Sequence, residues 1–416
     1  MYWANFLHIY QPPTQTDEIV DKVTRECYRP LVELLQAHPH GRITLNINAC
    51  LTELLDKCGH GDVIEGLKVL AERGQIEFTG SVKYHPILPL IPRAEMERQI
   101  RLNEDTNRHY FGEVYQPAGF FPPEMCYSKA VAEAVHRVGY RWIIVDEIAY
   151  NGQLGAPPTE RCFTVSGLGP LGVFFKERRL SAGITYGSCP DLKTFRRFLA
   201  EAPPVEGYLL TGTDGEVYGH HRPGQERLLE EAFGDAQITT VTISELFDLF
   251  PAREEVEPLE SSWSTWEDEM DQGVPYPQWL DPSNPIHELQ WQLARLALEA
   301  LDASADESPG RPQARRLLDE GLHSCQWWWA SCRPWWDTGM VDRGAALLVE
   351  AVKALEGAVA PTVIGQAESL KERIHRTAKA WHDEGEAAQR QQAYREAHQD
   401  VSSLLTFGGD ETTPRA

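Results

Sequence analysis

Residues 207–221 read GYLLTGTDGEVYGHH: an apolar run that opens into small and polar residues, then Asp214, Gly215 and Glu216, then Tyr218 and two adjacent histidines. The run predicts a buried β-strand, and Gly215 permits a sharp turn directly after it. An Asp-Gly pair is by itself a common turn signal. What the segment does therefore depends on what the rest of the chain builds around it.

Working outward, seven further β-rich runs occur between residues 4 and 244: ANFLHIY, RITLNIN, QIEFTGSV, PAGFFPP, RWIIVDE, LGVFFKE and ITTVTIS. Between them lie segments with apolar residues at three- and four-residue spacing, among them 17–38, 63–74, 93–112 and 128–140. Strand-helix alternation on this scale predicts an α/β protein with a parallel sheet, closed or nearly closed into a barrel. Residues 1–255 are assigned to it. Residues 256–285 are rich in Pro, acid and Trp without a sustained period, which predicts a long ordered loop of the kind that is often functional. From 286 to 400 the chain reads as an α-helical domain, opened by a stripe of Ile286, Leu289, Leu293, Leu296 and Ala300. Helices are expected at about 312–332, 340–357 and 364–397, and residues 401–416 read as a flexible tail.

The 39 Lys and Arg against 62 Asp and Glu give a net charge of −23, which argues against nucleic acid and anionic membrane surfaces as partners. The stretch MYWANFLHIYQPP lacks a basic leader region and is expected to be a first strand rather than a signal peptide or membrane span. Eight cysteines form no Cys-x-x-Cys pair, which fits reduced thiols in the cytoplasm. The sequence has no bearing on oligomeric state.

In a parallel barrel the C-terminal strand ends line the catalytic mouth. The predicted ends deliver His8, Tyr10 and Gln11; Asn46 and Asn48; Ser81, Tyr84 and His85; Glu124; Asp146 and Glu147; Lys176, Glu177 and Arg178; and Asp214 with Glu216. Glu124 follows two prolines that stiffen its backbone, although a Glu near a helix start is also simply favourable to the helix dipole. Asp214 could equally be a turn residue. Two carboxylates on separate strands are what glycosidic bond cleavage requires, and the 12 Trp and 14 Tyr would supply stacking surfaces for a neutral sugar, although most are expected in the core. His220 and His221 are neighbours that point apart, and neither a His-Glu-x-x-His run nor a cysteine set is present, so no metal is expected. No glycine-rich phosphate motif follows a strand, so no cofactor is expected either.

Taken in order, LHIYQPP, ERGQIEFTGSVKYHPILPLIP, GFFPPEMCYS and LLTGTDGEVYGHH resemble the motifs of glycoside hydrolase family 57, which includes amylases, 4-α-glucanotransferases and branching enzymes. The resemblance implies a (β/α)7-type barrel with a helical domain over its mouth. It implies a retaining reaction on α-linked glucans, with Glu124 as nucleophile and Asp214 as general acid/base. His8, Glu77, Tyr84, His85, Asp146, Glu216 and His220 would contact substrate or orient the pair. GLHSCQWWWASCRPWW resembles a fifth region in which His323, Trp327 and Trp328 would line sugar subsites, although a tryptophan cluster between helices can equally be core. The chain departs from the family pattern in having Tyr10 directly before Gln-Pro, and Phe121-Pro122-Pro123 before Glu124. Two alternatives stay open from sequence: a metal-dependent, deacetylase-like hydrolase using Asp214 with histidines, and a glucan-binding protein without catalysis.

Overall fold

The computed structural model describes residues 1–201 and 207–398. Ten strands run β1 (Tyr2–Ile9), β2 (Ile43–Ile47), β3 (Ile76–Gly80), β4 (Gly119–Phe120), β5 (Trp142–Asp146), β6 (Cys162–Val165), β7 (Gly172–Lys176), β8 (Tyr208–Asp214), β9 (Thr239–Val241) and β10 (Arg253–Val256). Seven of them form a parallel series in the order β7-β5-β4-β3-β2-β1-β8. The two ends of that series approach each other where Glu177 N donates to Leu210 O at 2.8 Å, so the (β/α)7-type barrel comes nearly to closure without a full ladder there.

Two strands were not predicted. β6 runs antiparallel to β7 and extends the sheet outward to β10. Neither carries the long apolar run that marks a barrel strand: β6 is only four residues, three of them buried, and Arg-Glu-Glu-Val in the edge strand β10 is exposed or half-buried throughout. β10 ends at Val256, so the sheet continues past residue 255. The predicted strand ITTVTIS becomes β9, which pairs with the first half of β1, Tyr2–Ala4, while β2 takes the second half.

The segment 17–38 is interrupted by a π-helical turn at Thr24–Tyr28. The extra residue aims both Cys27 and Tyr28 at the turn after β8: Cys27 Sγ donates to Gly215 O at 3.1 Å and Tyr28 Oη to Glu216 Oε1 at 2.5 Å.

Within residues 256–285 a short helix, Glu267–Asp271, interrupts an otherwise irregular path. The later helices are more divided than their sequence period predicts. The expected helix at 312–332 splits into Arg311–Gly321 and Cys325–Trp328, and the one at 364–397 splits into Pro361–Asp383 and Glu386–Ala397, where Gly385 adopts a left-handed φ of 79° that ends the first helix. Helices Pro285–Ala303, Arg311–Gly321, Thr338–Lys353 and Pro361–Asp383 share one apolar core with the β4 to β7 side of the barrel. Two contacts tie this region to the C-terminal strand ends: Ser324 N donates to His85 O at 3.1 Å, and Cys325 Sγ lies 3.8 Å from Tyr10 Oη. The expected tail, 401–416, lies outside the described residues. No described helix is long and apolar enough to cross a membrane.

Candidate active site

Glu124 sits in a single 3-10 turn directly after β4 and adopts left-handed backbone angles, φ 59° and ψ 18°. A glutamate accepts that conformation only if its surroundings fix it. Trp263, from the loop beyond the barrel, does so at two points: its backbone N donates to Glu124 O at 3.1 Å and its indole Nε1 to Glu124 Oε2 at 2.8 Å. The bridge between Tyr127 and Ser261, with Tyr127 N donating to Ser261 O at 2.8 Å, runs the loop antiparallel to the chain after Glu124. The Glu124 side chain keeps 16% exposure, enough to meet a ligand.

Asp214 ends β8 in register with His8 of β1, and its carboxylate caps no backbone N–H. Burial raises the Asp214 carboxyl to about 6, against the opposing pull of the Lys176 ammonium. Burial and then the Asp214 charge raise Glu124 to about 8, against the Trp263 hydrogen bond, which favours the carboxylate. Burial raises both carboxylates and the Asp214 charge raises Glu124 further, so near neutrality the two together hold one proton. In the free protein Glu124 has the higher proton affinity.

Stacked rings form the wall beside Glu124. His85 packs against both Tyr10 and His8, at centroid distances of 4.1 and 4.9 Å and interplanar angles of 17° and 11°, and these two lie 5.9 Å from each other. His8 Nδ1 is bonded to Asn46 Oδ1 at 2.8 Å, and burial lowers its imidazole to about 4. Burial and the neighbouring imidazoles of His8 and His323 drive His85 well below the usual histidine range. His85 Nδ1 meets Ser324 Oγ at 2.9 Å and lies 3.8 Å from Glu124 Oε1, so it faces the carboxylate as a neutral polar group rather than an ion-pair partner. His323 is 1% exposed, and both its ring nitrogens lack a partner.

The other residues expected at the site lie in several settings. Glu216 is buried behind the mouth, accepting from Tyr10 N at 3.1 Å and from Tyr28 Oη; burial, then the Asp214 charge, raises it to about 8. Asp146 is fully buried between two cations, with Arg178 Nη2 at 2.5 Å and Lys176 Nζ at 2.9 Å. Glu77 is the second residue of β3, near the opposite end of the sheet, and accepts from Thr44 Oγ1 and Ser244 N at 3.2 and 3.1 Å. Tyr84 is half-buried, with Lys83 Nζ 5.4 Å from its ring centroid. His220 pairs with Glu26 at 2.6 Å. Trp327 is fully buried against Trp291 at 4.3 Å, whereas Trp328 is half-buried and stacks on Trp335 at 4.8 Å.

Glu124, Asp214, His8 and His85 thus belong to one cluster, with His323 at its edge. Three further members were absent from the expected site: Trp263, Tyr10 and Lys176. Tyr10 and Lys176 stand at strand ends, and the aromatic loop around Trp263 was expected to be functional, so the signal existed for the segments but not for the contacts. Among the described residues, no group of three or more His, Cys, Asp or Glu is arranged to hold a metal ion.

Two raised carboxylates at the C-terminal mouth of a parallel barrel are the arrangement of a glycoside hydrolase. More narrowly, residues 4–258 match glycosyl hydrolase family 57, and the chain belongs to that family. α-Amylase 1 of Dictyoglomus thermophilum is 29% identical over 147 residues, covering 35% of this chain and 21% of that one. The chain therefore spans about a fifth of the length of that relative. The structure is similar to a 4-α-glucanotransferase from Thermococcus litoralis, with TM-score 0.66, 18% identity, and coverage of 84% of this chain and 59% of that one. It is also similar to a branching enzyme of the same family from Thermococcus kodakaraensis, with TM-score 0.64, 17% identity, and coverage of 89% and 94%.

Proposed function

We propose that the protein is a retaining glycoside hydrolase or transglycosylase acting on α-linked glucans, with Glu124 as nucleophile and Asp214 as general acid/base. The observation that carries this reading is the placement of two carboxylates on separate strand ends, Glu124 after β4 and Asp214 at the end of β8, linked through the stacked His8 and His85 and each raised by burial. Substrate has to move the one proton they hold from Glu124 to Asp214. A glycosidic oxygen opposite Asp214 accepts a hydrogen bond from its protonated form, while positive charge developing at the anomeric carbon favours an ionised Glu124.

Glu124 Oε then attacks the anomeric carbon, the bond to the leaving oxygen breaks, and Asp214 donates its proton to that oxygen. In the second half Asp214 takes a proton from water or a sugar hydroxyl, whose oxygen displaces Glu124 and restores the starting state. The Trp263 N–H holds the attacking carboxylate in one orientation. His8 and His85, kept neutral, can exchange hydrogen bonds with sugar hydroxyls without competing as charges. The eight free cysteines favour a reducing, cytoplasmic setting.

The test is incubation with maltooligosaccharides of defined length. Wild type is expected to give shorter products by hydrolysis, or shorter and longer ones by transfer, with the first-formed anomer matching the substrate. Glu124→Gln is expected to fall below about a thousandth of wild-type turnover, and Asp214→Asn by about 10²- to 10⁴-fold. Near-normal turnover by Glu124→Gln would remove the assignment.

A further inference from the structure

Arg178 opens the helix Arg178–Thr185, two residues beyond β7, and is almost wholly buried. The proposed reaction assigns it nothing. Its guanidinium does not point toward Glu124. Nη2 is held by Asp146 Oδ1 at 2.5 Å, and the backbone N donates to Glu147 Oε1 at 3.0 Å. The rest of the fork is spent on the backbone of the aromatic loop: Nη1 donates to Thr265 O at 2.5 Å and Nη2 to Ser262 O at 3.4 Å, with the Trp266 ring 5.3 Å away.

Those two carbonyls flank Trp263, the residue that holds both the backbone and the carboxylate of Glu124. The loop has little regular structure of its own at this point, only the one bridge at Ser261 and a turn from Ser262 to Thr265 in which Thr265 N donates to Ser262 O at 3.2 Å. An arginine fork bonded to both ends of that turn fixes the position of the residue between them, because its planar donors are pre-organised and lose little freedom on binding. Asp146 supplies the counter-charge without which a buried guanidinium would be costly.

We propose that Arg178, anchored on Asp146, is a positioning residue for the nucleophile: it clamps the Ser262–Thr265 turn and thereby sets the Trp263 hydrogen bond that aims Glu124. This rests on the reading of Glu124 as nucleophile. Of the two roles expected of Asp146, contacting substrate or orienting the pair, it takes the second.

The principal variant is Arg178→Lys, which keeps a positive charge against Asp146 but loses the two-carbonyl fork. It is measured with Trp263→Phe and the double variant, using turnover of a maltooligosaccharide and a thermal unfolding scan. Arg178→Lys is expected to lower kcat about 10-fold with KM changed less than about 2-fold. In the Trp263→Phe background the same change is expected to cost less than about 3-fold more, because the bond it positions is already gone. Arg178→Gln is expected to be worse than Arg178→Lys in both activity and melting temperature.

Multiplicative losses in the double variant, or wild-type kcat in Arg178→Lys, would overturn the proposal. So would a loss of kcat that only follows loss of folded protein. A wild-type protein without turnover on any α-glucan would defeat the reading of the site and this proposal with it. An active wild type with independent effects defeats this proposal alone.

Discussion

Trp263 binds Glu124 twice, through its backbone N to the carbonyl and through its indole N–H to the carboxylate, across 139 residues of chain. The first bond supports a left-handed backbone that a glutamate does not hold alone, and the second selects one carboxylate orientation. Trp263→Phe removes only the second while leaving an aromatic ring to pack on Phe121 and His8. A hydrogen bond to a charged group contributes about 1.5–3 kcal/mol. The expected result is a 10- to 100-fold loss of kcat with a smaller change in KM and an unfolding midpoint close to wild type, read from steady-state kinetics and a thermal scan.

The pair's shared proton predicts a bell-shaped profile of kcat/KM against pH, with limbs near about 6 and about 8. The upper limb follows Glu124, which burial and the Asp214 charge raise. Asp214→Asn removes that charge, so the remaining Glu124 titrates lower. Carbon-13 NMR of labelled glutamate in the two proteins checks the shift. An unmoved Glu124 resonance would mean that the two carboxylates do not feel each other.

Stability should also depend on pH, through opposing contributions from buried acids and buried histidines. Glu147 and Glu216 are each raised to about 8 from 4.5, so the stability they contribute is present below about 4.5 and lost as pH rises through about 8. His8, His287 and His323 are lowered to about 4 from 6.5, so theirs is present above about 6.5 and lost as pH falls through about 4. The two windows overlap from about 4.5 to about 6.5, and the melting temperature is expected to peak near the top of that overlap, where the histidine contribution is complete and the acid contribution only partly lost. Glu216→Gln, which keeps an acceptor for Tyr28 and Tyr10, should flatten the alkaline side. A melting curve as steep as wild type above pH 7 would contradict this.

Much of this architecture was legible because a barrel strand is apolar along its length and polar at its C-terminal end. β1, β2, β3, β5, β7 and β8 each show that pattern, and the same pattern placed His8, Glu124 and Asp214. Pro122 and Pro123 marked the backbone before Glu124 as rigid. What sequence did not carry was contact between distant segments. Asp146 stands at a strand end as expected, but its pairing with Lys176 and Arg178 joins separate segments and could not be read from sequence, and Glu77, the second residue of β3, lies near the opposite end of the sheet. His220 drew attention by standing beside His221, yet its partner is Glu26 on the π-helical turn Thr24–Tyr28. The edge strand β10 was missed because a strand that buries little has no reason to be apolar, and β6 because four residues are too few to show a period.

Gly119 of β4 allows Trp142 of the adjacent strand to lie flat against the backbone. A Cβ there would sit 2.0 Å from Trp142 Cε2, and Trp142 is itself fully buried with its indole N–H bonded to Ser244 Oγ at 2.9 Å. Gly119→Ala must displace that ring or the strand that leads to Glu124. The expected cost is about 1–3 kcal/mol or more, seen as a lower melting temperature together with reduced kcat. An unchanged melting temperature would show that the ring can move freely.

Adjacent tryptophans in the helical region should separate cleanly. Trp327 is fully buried and stacked on Trp291 at 4.3 Å, so Trp327→Ala removes core and is expected to cost about 3–5 kcal/mol of stability. Trp328 stacks on Trp335 at 4.8 Å with part of its surface open, on the short helix that begins one residue after Ser324, the partner of His85. If that surface receives a sugar ring, Trp328→Ala should leave the melting temperature within a few degrees. It should raise KM about 3- to 10-fold, the scale of one aromatic stacking contact, for long maltooligosaccharides and less for short ones. Equal KM changes at every chain length would place Trp328 outside the glucan path, and a large fall in melting temperature would assign it to the core with Trp327.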